Sequence, residues 1–229
     1  VYLDRGEGIG LPDEPEKFVG VVAGPRSALE WMSGEPESSD FYDAKGIVES
    51  LLSEFGVTAC FVPVEETTFE LGRCAQIVIP SAGRAVIGVL GEVASDILST
   101  FDIDTAPVAM FELDVEAIGR LPELQSLGQQ DYVPFGRFPD SARDLALVID
   151  DNAPSADVLA LAERNRLVVS ATVFDVYQGE AIPSGKKSLA VRVVYQAPDH
   201  TLTADELIKA ENSILRALEH NFGAELRVR

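Results

Sequence analysis

The sequence predicts an α+β protein of two units, a largely antiparallel sheet unit followed by a β-α-β-β-α-β unit. Three observations lead there. In the first half, β-rich runs follow one another with few helices between them. The stretch LPELQSLGQQDYVPFGRFP at 121–139 combines Pro, Gly and Gln without sustained periodicity and marks a break. Beyond it, strand and helix signals alternate in a single clear order. The length of 229 residues suits one large or two ordinary domains, and with the boundary expected near Gln130 the units are 1–130 and 131–229.

In the first unit, Ile47, Val48, Leu51, Leu52 and Phe55 recur at helical spacing, and Gly56 supplies a stop. The polar run 34–40 before them reads as a loop. Strands are expected at 59–64, 76–80, 85–90 and 108–113, with a short helix near 94–100. Gly6, Gly8 and Gly10 imitate a phosphate loop, but Pro12 and an acidic run follow them where a helix with free N–H groups would have to open, so they read as a turn.

In the second unit, DLALVID at 144–150 reads as a buried strand and Ser155 as the cap of a helix through Asn165. A strand at 168–177 pairs with one at 188–195 across a loop containing Pro and Gly. Thr203 and Glu206 form a capping box for a helix with Leu207, Ile214, Leu218 and Phe222 on one side, which ends at Gly223 before a last strand at 225–228. This order is the ferredoxin-like arrangement.

Because strand side chains alternate, residue parity assigns sheet faces. Phe174 and Val176 fall on one side, Asp175 and Tyr177 on the other. Leu189, Val191, Val193 and Tyr195 take the apolar side, opposite Ser188 and Arg192. Both helices of this topology cover one face, so Asp175, Tyr177, Ser188 and Arg192 are expected to share the open one. An aromatic ring beside a hydroxyl, a carboxylate and a guanidinium suits unstacked bases: the ring stacks and the polar groups read base edges. An ordinary solvated face with an Asp–Arg cross-strand contact has the same pattern.

Charge and composition narrow the function. A chain 46% apolar and 24% charged can close a core and has the balance of a soluble globular protein, not of a disordered one. No apolar run approaches a membrane span and no signal peptide opens the chain, so a cytoplasmic protein without membrane contact is expected. Cys60 and Cys74 lie in neither a CxxC pair nor a His-rich setting, so they read as idle thiols, with no metal site. The net charge of −20 opposes nucleic-acid binding, but unevenly: 7 Lys and Arg stand against 23 Asp and Glu through Gln130, and 11 against 15 beyond it. A polyanion would dock on the second unit.

RFPDSARDLALVID (137–150), FDVYQG (174–179), GKKSLAVRV (185–193) and TLTADEL (201–207) resemble, in order and spacing, the ferredoxin-fold anticodon-binding domain that ends the bacterial phenylalanyl-tRNA synthetase beta subunit. LPDEP (11–15), FYDAKGIVESLL (41–52), GRCAQI (72–77), IGVLGEV (87–93) and FELDV (111–115) are similar to the class II synthetase-like, non-catalytic domain preceding it. Glu70-Leu71 stand where that family usually has His-Pro before its glycine turn. The resemblance implies a C-terminal piece of the subunit, beginning inside the synthetase-like fold. It implies that Asp175, Tyr177 and Ser188 meet the anticodon loop of tRNA-Phe, and that the partner is a catalytic alpha subunit in an (αβ)2 assembly.

Catalysis by the chain itself is not expected. Class II synthetases use an FRxE-type strand and a GxGxxxR junction, whose arginines neutralise phosphate, and this sequence has neither. His200 and His220 lie near helix ends without a nucleophile in a recognised motif. The resemblance places phenylalanine–tRNA ligation, with its ATP and Mg2+, in the holoenzyme, and no cofactor in this stretch. A ferredoxin-like regulatory module that dimerises on a small molecule, without binding tRNA, is the competing expectation.

Overall fold

The computed structural model describes residues 14–28, 34, 36–125, 136–179 and 181–227. Gly6, Gly8, Gly10, Val228 and the expected boundary at Gln130 lie outside them. Contacts divide the chain into two units, Val1–Asp131 and Tyr132–Arg229.

The first unit is built on a five-stranded antiparallel sheet in the order β1-β5-β4-β3-β2. Its members are β1 (Lys17–Ala23), β2 (Cys60–Pro63), β3 (Phe69–Ile79), β4 (Ala85–Val93) and β5 (Val108–Asp114). Sequence reasoning does not single out β1. It is an edge strand whose Phe18, Val19 and Val21 are all exposed, so its apolar residues follow no alternation. β3 starts earlier than expected and takes in the anticipated glycine turn: Gly72 sits inside it at φ +74°, where the pairing with β4 shifts register between Phe69 and Cys74. The Glu70 carboxylate accepts from the Ser95 backbone N–H at 2.7 Å, which joins β3 to the start of the short helix α2 (Ser95–Thr100).

The long helix of this unit, α1 (Phe41–Glu54), begins before its apolar stripe because Asp40 caps it. Asp40 accepts from the Tyr42 N–H, and Asp43 accepts from the Asp40 N–H, each at 2.8 Å. Arg26 bridges Glu37, Asp40 and Asp43 at 2.7–3.2 Å. Ala44, Val48 and Leu52 of α1 bury against Ile77, Leu90, Phe111 and Leu113 of the sheet. Two short helices follow β5, α3 (Val115–Gly119) and α4 (Pro122–Gln125).

The second unit has the ferredoxin-like order: β6 (Ser141–Asp150), α5 (Ser155–Glu163), β7 (Val168–Tyr177), β8 (Lys186–Tyr195), α6 (Ala204–Phe222) and β9 (Glu225–Leu226). The sheet runs β7-β8-β6-β9, antiparallel throughout. Leu189, Val191, Val193 and Tyr195 of β8 and Leu145, Leu147 and Ile149 of β6 face Val158 and Ala162 of α5 and Leu207, Ala210, Ile214 and Leu218 of α6. Ser155 does not cap α5. Pro154 occupies that position, Ser155 is the first helical residue, and no side chain bonds the end. The capping box at Thr203 forms as expected, with Thr203 N–H donating to Glu206 Oε2 at 2.9 Å, and Gly223 closes α6 at φ +59°.

Candidate nucleic-acid interface

With α5 and α6 on one face, no described element of the second unit covers the opposite face of its sheet, and cross-strand register shows which side chains stand on it. In an antiparallel ladder, directly paired residues share a face. Leu189 and Val191 are buried under the helices, so their β8 neighbours Ser188, Ala190 and Arg192 project the other way. Tyr177 pairs with Ser188, Asp175 with Ala190 and Thr172 with Arg192; on the far side Val148, Ala146 and Asp144 of β6 pair with the same three β8 residues. Asp175, Tyr177, Ser188 and Arg192 therefore occupy one face.

Parity fails at Phe174. Val173 pairs with Val191 and Asp175 with Ala190, consecutive residues of β8, so Phe174 is the extra residue of a β-bulge. The bulge turns its ring out of the core. Phe174 is 54% exposed, and the Arg192 guanidinium lies 5.3 Å from its ring centre. Val176 resumes the helix side opposite Leu189 but, on the edge strand, stays 55% exposed and is not buried beneath the helices. An unpaired residue also interrupts β7 at Val169, and no local signal in the apolar run VVSATVF reveals either break.

Arg192 makes an Asp–Arg contact across the strands, as the pattern of the face allowed. Its partner is Asp144 across the ladder, not Asp175: Nε donates to Oδ1 and Nη2 to Oδ2, each at 2.8 Å. The bidentate bond holds the Asp144 carboxyl below the usual carboxylate range and Arg192 above its own. Asp175 has no hydrogen-bond or ion-pair partner among the described residues, so its acceptor oxygens face solvent. The Ser188 side chain is only 5% exposed and sits beside the Tyr177 ring.

Tyr177, 42% exposed, is fixed from two sides. A Cβ on Gly179 would lie 2.3 Å from the Tyr177 hydroxyl oxygen and 2.6 Å from Cζ, so the ring leans on bare backbone that only glycine leaves open. The φ of Gly179 is not positive, so space and not backbone conformation sets the requirement. Over the ring, 5.5 Å from its centre, lies the Arg227 guanidinium. The Arg227 N–H donates to Ala146 O at 2.8 Å, anchoring the end of β9 to β6. Sequence reasoning reached neither Gly179 nor Arg227, because both matter through contacts that strand pairing creates.

A shallow groove of about 750 Å³ crosses this face, lined by Asp144, Ala146, Phe174, Ala190, Leu226 and Arg227. Small side chains floor it, and arginines stand near both ends. The arrangement offers flat apolar surface, one clamped and one unclamped cation and unpaired acceptors, with no nucleophile held by a base among the described residues. Elsewhere, His200 bridges Asp199 at 2.8 Å and Glu206 at 3.0 Å beside the α6 cap, and the hydrogen bond to Asp199 leads in raising its pKa. Burial pushes the Cys74 thiol up to about 11, while Cys60 is exposed; both are free. No three His, Cys, Asp or Glu side chains converge on a metal position among the described residues, and no described helix is long and apolar enough to cross a membrane.

Residues 136–227 match the family model described as a ferredoxin-fold anticodon binding domain, and residues 1–115 match the phenylalanyl tRNA synthetase beta chain CLM domain. The chain is 36% identical over 231 residues to the phenylalanine–tRNA ligase beta subunit of Geobacter sulfurreducens, covering 99% of this chain and 28% of that protein. The corresponding subunit of Geobacillus kaustophilus is 37% identical, with 99% and 27% covered, and that of Moorella thermoacetica 40%, with 94% and 26% covered. The chain thus spans little more than a quarter of the length of these curated relatives.

Proposed function

Because this chain belongs to the family of the phenylalanyl-tRNA synthetase beta chain, we propose that it serves phenylalanine–tRNA ligase by holding the anticodon region of tRNA-Phe on the open face of its second sheet. One observation carries the proposal: Asp175, Tyr177 and Ser188 stand together on that face, with the Tyr177 ring propped by Gly179 and covered by Arg227. The ring supplies a stacking surface that accepts any base. The Asp175 carboxylate accepts from base N–H donors, and the Ser188 hydroxyl donates or accepts at a base edge. Arg192, tied down by Asp144, stiffens the platform and leaves its remaining N–H groups for phosphate or base.

The first unit supports assembly in this proposal, packing against partner domains in an (αβ)2 enzyme in the cytoplasm. ATP and Mg2+ are assigned in this proposal to the alpha subunit, because the sequence of this chain carries neither of the arginine motifs with which class II synthetases neutralise phosphate. The chain's own work is to bind and orient. With a net charge of −20, it is expected to hold RNA weakly and in a strongly salt-dependent way when tested alone.

The test is a titration of the 229-residue chain with tRNA-Phe and with variants altered only in the anticodon loop. Affinity that depends on the anticodon and falls by about 1–3 kcal/mol on Tyr177→Ala supports the proposal. Equal binding of all loop variants overturns it.

A further inference from the structure

We infer that Phe174 forms a second base-stacking position on the same face, so that two neighbouring unstacked bases of one RNA strand are held, one at Tyr177 and one in the groove beside Phe174. The inference rests on the proposed RNA-binding role of that face, and adds a residue and a subsite to it. An exposed phenylalanine on a sheet face is an ordinary surface feature when it stands alone. Phe174 does not stand alone.

A β-bulge removes it from the core side that its neighbour Val173 occupies and sets it on the side of Asp175 and Ala190. The Arg192 guanidinium lies against its ring, and the two bonds to Asp144 keep that guanidinium from swinging away. Ring and cation together make a rigid platform, and rigidity lowers the entropy lost when a ligand settles on it.

The floor next to the platform is Ala146 and Ala190, paired residues of β6 and β8. Alanines at both central positions leave a hollow in which no side chain has to move to admit a flat ring. Arg227 borders the hollow on its other side and reaches from there to cover Tyr177. Arg227 borders both positions, which makes them adjoining parts of one surface. A heteroaromatic ring with a phosphate attached fits this chemistry: apolar walls for the base and cations at both ends for the backbone, on a chain that otherwise repels polyanions. An uncharged aliphatic ligand would gain nothing from the arginines.

The experiment uses the 229-residue chain with an RNA hairpin carrying the tRNA-Phe anticodon loop, into which 2-aminopurine is placed one loop position at a time. Stacking on an aromatic ring quenches its fluorescence. Quenching at two adjacent loop positions is expected, one lost on Tyr177→Ala and the other on Phe174→Leu, with affinity reduced roughly fivefold or more by either substitution. Phe174→Leu keeps apolar bulk at the bulge, and Phe174→Trp, which enlarges the platform, should retain or deepen the second quench. If Phe174→Leu and Phe174→Trp leave every position's quenching and affinity at the wild-type level, or alter only the position governed by Tyr177, the second site is overturned while the anticodon role stands. If Tyr177→Ala is equally silent and no loop position is quenched, the RNA-binding role of the face falls as well.

Discussion

Asp144 grips Arg192 through two parallel hydrogen bonds of 2.8 Å across the β6–β8 ladder, and the guanidinium so fixed lies against the ring of Phe174. Arg227, at the other side of the same face, has no such carboxylate clamp among the described residues and covers Tyr177. One cation is held in place and the other is able to swing, and the difference separates their expected roles.

Arg227 is the cation free to meet phosphate. The slope of log affinity against log salt for RNA binding should therefore fall by about 1 with Arg227→Gln. Arg192→Gln should change the slope less, because Asp144 already offsets that charge. Titrations at a series of salt concentrations check both; equal slope changes would show that the Asp144 clamp opens on binding.

Gly179 gives Tyr177 the space its ring occupies. Gly179→Ala should displace the ring, lowering affinity for the anticodon hairpin by up to about 1–3 kcal/mol, and should cost little further once Tyr177→Ala is present. Far-UV circular dichroism should stay unchanged. Wild-type binding by Gly179→Ala would mean that the ring's position does not matter.

Tyr195 is fully buried in the core of the second unit, and its hydroxyl has no hydrogen-bond partner among the described residues. Burial, aided by the charge of Glu211, pushes the phenol up to about 12. Removing an unpaired buried hydroxyl while keeping the ring removes a desolvation cost. Tyr195→Phe should thus stabilise the second unit by about 1 kcal/mol in denaturant unfolding. A comparable loss would reveal a partner for the hydroxyl.

The α6 cap carries two titrations of opposite sign. Hydrogen bonds from Thr203, backbone first, with a further one from His200, hold Glu206 down to about 2 from an ordinary 4.5. A depressed carboxyl stabilises above its unfolded pKa and loses that stabilisation as pH falls through the folded value, so the melting-temperature gap between wild type and Glu206→Gln should narrow from 4.5 toward 2. His200 is raised above 6.5 by Asp199 and then Glu206. Its contribution is complete below 6.5 and disappears as pH rises through the raised value. His200→Ala should lower the melting temperature in mild acid and leave it unchanged in alkali.

Much of this molecule is legible along the chain. Thr203 and Glu206 announce a capping box within four residues, and it forms because every atom involved is local. Leu189, Val191, Val193 and Tyr195 alternate cleanly and are buried as a set. The open-face positions of Tyr177, Ser188 and Arg192 follow from the same alternation, and the ordered motifs from 137 to 207 identify the family. Strand β1 is less legible, since an edge strand with exposed apolar side chains shows no period.

Tertiary structure alone decides the rest. Whether β7 accepts an extra residue at Phe174 depends on how its hydrogen bonds align with β8, a partner more than ten residues away, and that alignment moves an aromatic ring from the core side to the open one. The choice of Asp144 over Asp175 as the partner of Arg192 depends on β6 lying beside β8, a neighbour set by the order of the whole sheet. Alternation along a strand is a property of the chain; register and strand order belong to the pairing, and on this face they determine which rings and charges meet.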